Sequence, residues 1–268
     1  MPTSSKRQRQ KTGRQARQQA VQAYRRRRAR QRGFVTAVII ALVVGVILAV
    51  VNPFSTSSKK TVKSTTPTTT GVNLKPVAKG AAITGDTPCP AANGSSPRTT
   101  TFAKPPPMCI DVNKTYTATM KTSKGVITIA LDDKKAPKTV NNFVVLARYH
   151  FFDGIAFHRI VPDFVIQGGD PLESGSGSAG YQFGDELPGP NEYKTGSVAM
   201  ANSGPNTNGS QFFIVTSDKG GSGLQPSYSL FGQVTDGLNV VDTIGKLGNA
   251  DQKPAEKVTI DSVAITES

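Results

Sequence analysis

Residues 157–171 read FHRIVPDFVIQGGDP and residues 200–214 read MANSGPNTNGSQFFI. Both stretches mix aromatic and branched aliphatic residues, which suit a half-buried pleated surface, with polar side chains that such a surface usually excludes. In a strand of period two, Arg159 and its apolar neighbour face opposite sides, so one charged side chain projects from a face otherwise built of Phe, Val and Met. Taken singly, Arg159 reads as a surface arginine in a salt bridge, and Gln211 as an amide satisfied by loop backbone.

Working outward, alternating β-formers predict a hairpin over 115–122 and 126–131, turning at Lys124-Gly125. Further strands are predicted at 156–160, 164–167, 197–201, 211–216, 230–234 and 257–265. A helix is predicted from Ala136-Pro137-Lys138-Thr139, with proline in its first turn and Val140, Phe143, Val144 and Ala147 on one apolar face. A second helix is expected near 238–246. About eight strands and two helices imply a mainly β domain, a closed barrel or sandwich with helical covers, over residues 111–268.

Composition narrows the chemistry. Two cysteines and two histidines in 268 residues cannot furnish a zinc site together with catalysis, and neither cysteine lies near a histidine in sequence. No metal and no cofactor is expected. The run Gly175-Ser176-Gly177-Ser178-Ala179-Gly180 matches a phosphate-loop pattern, but no apolar helix follows it to present its N-terminus to a phosphate. No G-x-S-x-G elbow occurs, and His150, at the end of the first helix, reads as structural.

The formal net charge of +14 is concentrated at one end. Residues 1–32 hold 12 basic and no acidic residues, residues 33–85 hold 5 and none, and residues 86–268 hold 15 basic against 18 acidic. After the basic tail, FVTAVIIALVVGVILAVV at 34–51 contains one polar residue, Thr36. At about 1.5 Å per helical residue it matches a bilayer core. A single transmembrane anchor at 33–52 is expected, with the tail 1–32 cytoplasmic by the positive-inside rule and the remainder extracytoplasmic. The tail then serves topology, and no nucleic-acid partner is expected; such a partner would require 1–32 to bind alone, with steep salt dependence. Residues 53–110, rich in Ser, Thr and Pro, are expected as a disordered stalk. Within it Cys89 and Cys109, in an oxidising compartment, are candidates for a disulfide.

The two opening stretches closely resemble the cyclophilin family of peptidyl-prolyl cis-trans isomerases, in a bacterial membrane-anchored form, over about residues 116–265. The resemblance implies a closed eight-stranded antiparallel β-barrel capped by two α-helices, and a monomeric catalytic domain acting on proline-containing segments of exported proteins. It implies Arg159 as the catalytic side chain and Phe164, Val165, Gln167, Ala201, Asn202, Gln211, Phe213 and Leu224 as the substrate groove. Two positions depart from the family pattern: Gly223 stands where many members have tryptophan, and Tyr228, also expected in the substrate groove, where they have histidine. That tryptophan is associated in the family with tight cyclosporin binding. A proline-segment binding or chaperone module with little isomerase activity is the alternative function.

Overall fold

The computed structural model describes residue 72 and residues 74–268. The expected basic tail, the anchor and the stalk up to residue 71 lie outside the described residues; among the described residues no helix is long and apolar enough to cross a membrane. The described chain begins with two short strands, β1 (Ala81–Ile83) and β2 (Thr99–Phe102), paired in parallel. β3 (Tyr116–Thr122) and β4 (Gly125–Leu131) form the expected hairpin, with Thr122 opposite Gly125, so the turn residues are Ser123 and Lys124. Helix α1 (Pro137–Arg148) follows, with proline in its first turn as predicted.

Beyond it come β5 (Arg159–Val161), β6 (Val165–Gly168), β7 (Ser197–Met200), β8 (Phe212–Val215), the short helix α2 (Asp218–Ser222), β9 (Leu230–Asp236), α3 (Leu238–Gly245) and β10 (Ile260–Glu267). Strands β3 to β10 form one curled antiparallel sheet in the order β10-β3-β4-β9-β7-β8-β6-β5. The predicted closed barrel needs correcting here. The end strands β5 and β10 share no ladder; a single bridge, Ala156 to Thr259, joins the segments preceding them. The bridge is made by Phe157 N–H to Val258 O at 3.0 Å and Ile260 N–H to Ile155 O at 2.8 Å, and Gly154 N–H donates to Ile260 O at 2.7 Å beside it. The predicted strand 156–160 therefore starts only at Arg159, because the chain before it turns to bury Phe151, Phe152 and Phe157. Helix α2 was not expected, since two of its five residues are glycine; the Ser217 hydroxyl caps it by accepting from Gly220 N–H at 3.1 Å.

The described part of the expected stalk is also corrected: 81–110 is ordered against the domain. Phe102 is 1% exposed and packs on Tyr149 (ring centroids 5.4 Å apart) and Tyr181 (6.3 Å). Its N–H donates to Ala179 O at 2.8 Å, and Gly180 (φ +111) lets the two chains approach, since a Cβ there would sit 2.5 Å from Phe102 O. Cys89 and Cys109 are bridged, with Cα atoms 5.4 Å apart. The segment explains a second departure. Helix α1 reads as amphipathic, yet every residue from Thr139 to Arg148 is buried. Its outward Asn141 is covered by the extension: Asn141 Oδ1 accepts from the N–H groups of Cys109 (2.7 Å) and Ile110 (3.2 Å), and its amide donates to Pro107 O at 2.8 Å. A buried amide with three such bonds is satisfied rather than costly. Low hydrophobicity hides this segment because its attachment uses three scattered apolar side chains (Ile83, Phe102, Ile110), one disulfide, the Arg98 guanidinium on the carbonyls of His150 and Asp153, and backbone groups in place of an apolar stripe.

Candidate active site

Strand period two separates the two faces of β5, β6, β7 and β8. Ile160, Ile166, Val198 and Ile214 point into the main core with Phe143, Phe152 and Phe212. The alternate residues Val165, Ala199, Phe213 and Val215 form a second apolar cluster with Tyr193, and Phe164, Ala201, Leu224 and Tyr228 pack partly buried against it. The site lies on this second face. Register runs directly across it: Arg159 opposes Gln167, Gln167 opposes Phe213, and Phe213 opposes Ala199. Opposed residues on one face are neighbours. A guanidinium, a carboxamide and a phenyl ring thus follow one another across three strands.

The polar groups form a relay. Arg159 Nη1 donates to Gln167 Oε1 (3.1 Å), Gln167 Nε2 to Gln211 Oε1 (2.9 Å), and Gln211 Nε2 to the carbonyls of Gly175 (3.0 Å) and Gly177 (2.8 Å). Gln211 is indeed held by loop backbone, as its sequence setting suggested. Arg159 is in no salt bridge among the described residues; its Nε donates instead to Gln252 Oε1 at 2.8 Å. The remaining nitrogen, Nη2, has no hydrogen-bond partner among the described residues. The glycine-rich run 175–180 is no helix start but a loop wrapped on the fully buried Asp170, which accepts from the N–H groups of Leu172 (2.7 Å), Ser174 (3.0 Å) and Gly175 (2.5 Å).

The apolar members are placed by neighbouring elements. Phe164 sits against α2, where a Cβ at Gly220 would lie 2.7 Å from its Cα. Tyr228 meets Phe213 edge to face at 5.3 Å. Its loop is held by Tyr193, whose hydroxyl donates to Tyr228 O (2.7 Å) and accepts from Tyr228 N–H (3.1 Å); burial pushes the Tyr193 hydroxyl pKa up. Asn202 spans to the same loop, its amide donating to Ser227 O at 2.9 Å. Nine of the ten expected site residues therefore lie in the relay or in and around the second cluster, and Asn202 reaches the Tyr228 loop beside them. Gln252 and Tyr193 were missed: one acts from 93 residues away and the other from a loop, and neither belongs to a periodic pattern.

His158, beside Arg159, is 8% exposed and neither ring nitrogen has a partner. Burial, opposed by the Asp170 carboxylate and reinforced by Arg159, holds its pKa below the ordinary histidine value. His150 is structural, as expected: its Nε2 contacts Gly94 O at 2.8 Å and its Nδ1 contacts Asp153 at 3.2 Å.

This is a surface that can grip a short apolar ring and offer it one charged donor. A family model described as "Cyclophilin type peptidyl-prolyl cis-trans isomerase/CLD" matches residues 117–265. Mouse peptidyl-prolyl cis-trans isomerase-like 1 is 44% identical over 146 residues, spanning 53% of this chain and 87% of that protein. A probable peptidyl-prolyl cis-trans isomerase B of Mycobacterium tuberculosis is 43% identical over 166 residues, spanning 54% of this chain and 53% of that protein, about half its length. A crystal structure of a Cryptosporidium parvum cyclophilin-type isomerase superposes with a TM-score of 0.53 at 31% identity, covering 57% of this chain and 99% of the other.

Proposed function

We propose, for a chain that belongs to the cyclophilin-type peptidyl-prolyl cis-trans isomerase family, that Arg159 is the catalytic group and that the second apolar cluster is its proline pocket. The activity is cis/trans isomerisation of X-Pro bonds. An amide resists rotation by about 18–20 kcal/mol because the nitrogen lone pair is conjugated with the carbonyl. No bond need break. Catalysis requires only that the twisted amide be bound better than the planar one. As the bond twists, the lone pair localises on the prolyl nitrogen and can accept a hydrogen bond from the free Nη2 of Arg159. Phe164, Val165, Phe213 and Leu224 hold the pyrrolidine ring, so the acyl side turns while the ring stays. Gln167 fixes the guanidinium, Gln211 fixes Gln167, and the backbone at Ala201 and Asn202 lies within reach of the neighbouring peptide groups.

The observation that carries this reading is the guanidinium held at 3.1 Å from Gln167 at the edge of the apolar cluster, with one donor nitrogen left over. A charge-assisted bond worth about 1.5–3 kcal/mol corresponds to roughly ten- to hundredfold in rate. The test is an X-Pro peptide isomerisation assay on the full chain. Arg159→Ala is expected to lower kcat by at least about tenfold with the fold intact; unchanged turnover in the folded variant removes Arg159 from the mechanism. A folded wild-type chain that binds proline peptides without accelerating exchange would instead support the binding-module function.

The sequence of residues 34–51, with its basic flank, supports an extracytoplasmic isomerase on a single membrane anchor, serving exported proteins. The Cys89–Cys109 bridge supports the same compartment, since such bridges persist where thiols oxidise. Protease added to intact cells is expected to remove the 111–268 domain and spare residues 1–32; protection of the domain would place it inside.

A further inference from the structure

The extension from 81 to 110 does more than cover α1. Where it leaves Asn141 it builds one wall of a cleft of about 470 Å³, lined by Pro105, Pro106 and Met108 on one side and by Lys138, Gln182 and Phe183 on the domain side. Three of its nine lining residues, Pro105, Pro106 and Met108, lie before the stretch that the family model matches, so this wall of the cleft is an addition to the common domain. Its wall is fixed. Asn141, 4% exposed, binds the backbone at Pro107, Cys109 and Ile110, and Cys109 is clamped to Cys89. On this fixed backbone Met108 is 51% exposed. An unbranched, polarizable side chain adapts to differently shaped apolar partners.

The cleft adjoins the groove. Gln182 lines both it and an adjoining hollow of about 170 Å³ that contains Gln167, Ala201, Asn202 and Gln211. Asn142, on the cleft's floor, donates to Gly209 O, which borders that hollow, at 3.0 Å. Gln182 is thus the residue a polypeptide leaving the hollow beside Gln167 and Gln211 would cross to reach the cleft.

We propose that this cleft is an accessory subsite for the client polypeptide, receiving an apolar side chain several residues away from the isomerised proline and against Met108, Pro105 and Phe183. It rests on the assignment of the Arg159 groove to the proline. It makes the enzyme favour X-Pro bonds flanked by exposed apolar segments, as unfolded chains present them, over isolated X-Pro dipeptides. The prolines of the wall carry little conformational freedom to lose on binding.

The test compares an X-Pro tetrapeptide with longer peptides carrying either leucine or serine at positions three to six residues before or after the proline, using the full chain. In the wild type, leucine on one side is expected to raise kcat/KM, through KM, by about tenfold over serine. Met108→Glu is expected to abolish that advantage and leave the tetrapeptide within about twofold of wild type, while Met108→Leu retains it. Calorimetric binding of the same peptides reads the subsite apart from turnover: a leucine advantage in affinity without turnover keeps the subsite and fails the isomerase assignment. Equal rates and affinities for leucine and serine peptides, or equal losses by tetrapeptide and long peptides in Met108→Glu, overturn the proposal. So does a Met108→Glu change in sedimentation from dimer to monomer, which would give the cleft to a second copy of the chain.

Discussion

Gln252 holds Arg159 from the side opposite Gln167: its Oε1 accepts from Arg159 Nε at 2.8 Å, and its backbone carbonyl accepts from Ile160 N–H at 3.0 Å. A residue in the loop before β10 thus grips the site strand by both side chain and backbone, from a left-handed conformation (φ +61). The guanidinium is clamped between two amides, and that clamp fixes where Nη2 points. Gln252→Ala keeps the backbone bond and removes the side-chain one. It is expected to lower kcat about three- to tenfold with KM little changed, because an exposed charge-assisted bond orients the donor more than it stabilises the fold. Equal kcat for wild type and variant would mean that Gln167 alone suffices.

His158 makes stability fall on mild acidification. Its pKa is depressed chiefly by burial, and Arg159 adds to this while Asp170 opposes it. The folded state therefore binds its proton more weakly than the unfolded chain. Stability is full above the ordinary histidine value, about 6.5, and is lost as pH falls from there toward the depressed folded value. The melting temperature is expected to drop between pH 7.5 and 5, and His158→Leu should flatten that drop, since neither ring nitrogen has a partner to lose. Asp153, raised by burial, acts with the opposite sign, holding its proton in the fold and contributing at lower pH. A slope identical in wild type and His158→Leu would assign the effect elsewhere.

The sheet and its working face were legible where local pattern and burial agree. Strands β3 to β10 alternate between a core side and another side, and the two quoted stretches carry their polar residues on the second. Arg159, Gln167, Gln211 and Phe213 could be placed because their motifs are contiguous. What was illegible depends on distance or on unusual chemistry. The extension folds through Phe102, a disulfide and the amide of Asn141, none of which has a period. Barrel closure depends on the seam at Ala156 and Thr259, where a single bridge replaces a ladder. Helix α2 contradicts the propensity of its glycines, and they are required because Gly220 lies against Phe164 and Gly221 against Tyr193.

The Cys89–Cys109 bridge closes a loop with a sequence separation of 20. In the chain-entropy model a loop of that length contributes about 3 kcal/mol, which for a domain near 200 residues is roughly 6–12 °C in melting temperature. Cys89→Ser with Cys109→Ser is expected to lower Tm by that amount. The loss should pass to the site only in part: Phe102 would still be packed on Tyr149 and bonded to Ala179, so the loop that cradles Gln211 keeps its support. Tetrapeptide kcat/KM at 10 °C is expected to stay within about threefold of wild type. Phe102→Ala, which empties a buried aromatic site, should cost about 3–5 kcal/mol and lower activity as well. Thermal melts and assays on the two variants separate clamp from prop; a disulfide variant as inactive as Phe102→Ala would show that the bridge, and not the aromatic packing, holds the Gly175–Gly177 carbonyls in place.

Gly223 offers a gain-of-function test of the groove. It lies at the end of α2 with ordinary right-handed backbone (φ −81), is exposed, and a Cβ there would meet nothing closer than Gly220 O at 3.6 Å. The fold therefore accepts a Cβ at this exposed position without a close contact or backbone strain. The next residue, Leu224, already packs against the second apolar cluster, so an indole at 223 would border the same pocket. Gly223→Trp installs the residue that many family members carry and that the family associates with tight cyclosporin binding. It is expected to leave the melting temperature within about 3 °C, because an exposed substitution at unstrained backbone is close to neutral. Cyclosporin affinity, measured by calorimetry, is expected to rise at least about tenfold, from the added aromatic area and its N–H donor. Unchanged affinity in the folded variant would mean that the loop through Tyr228, held by Tyr193, turns position 223 away from the pocket.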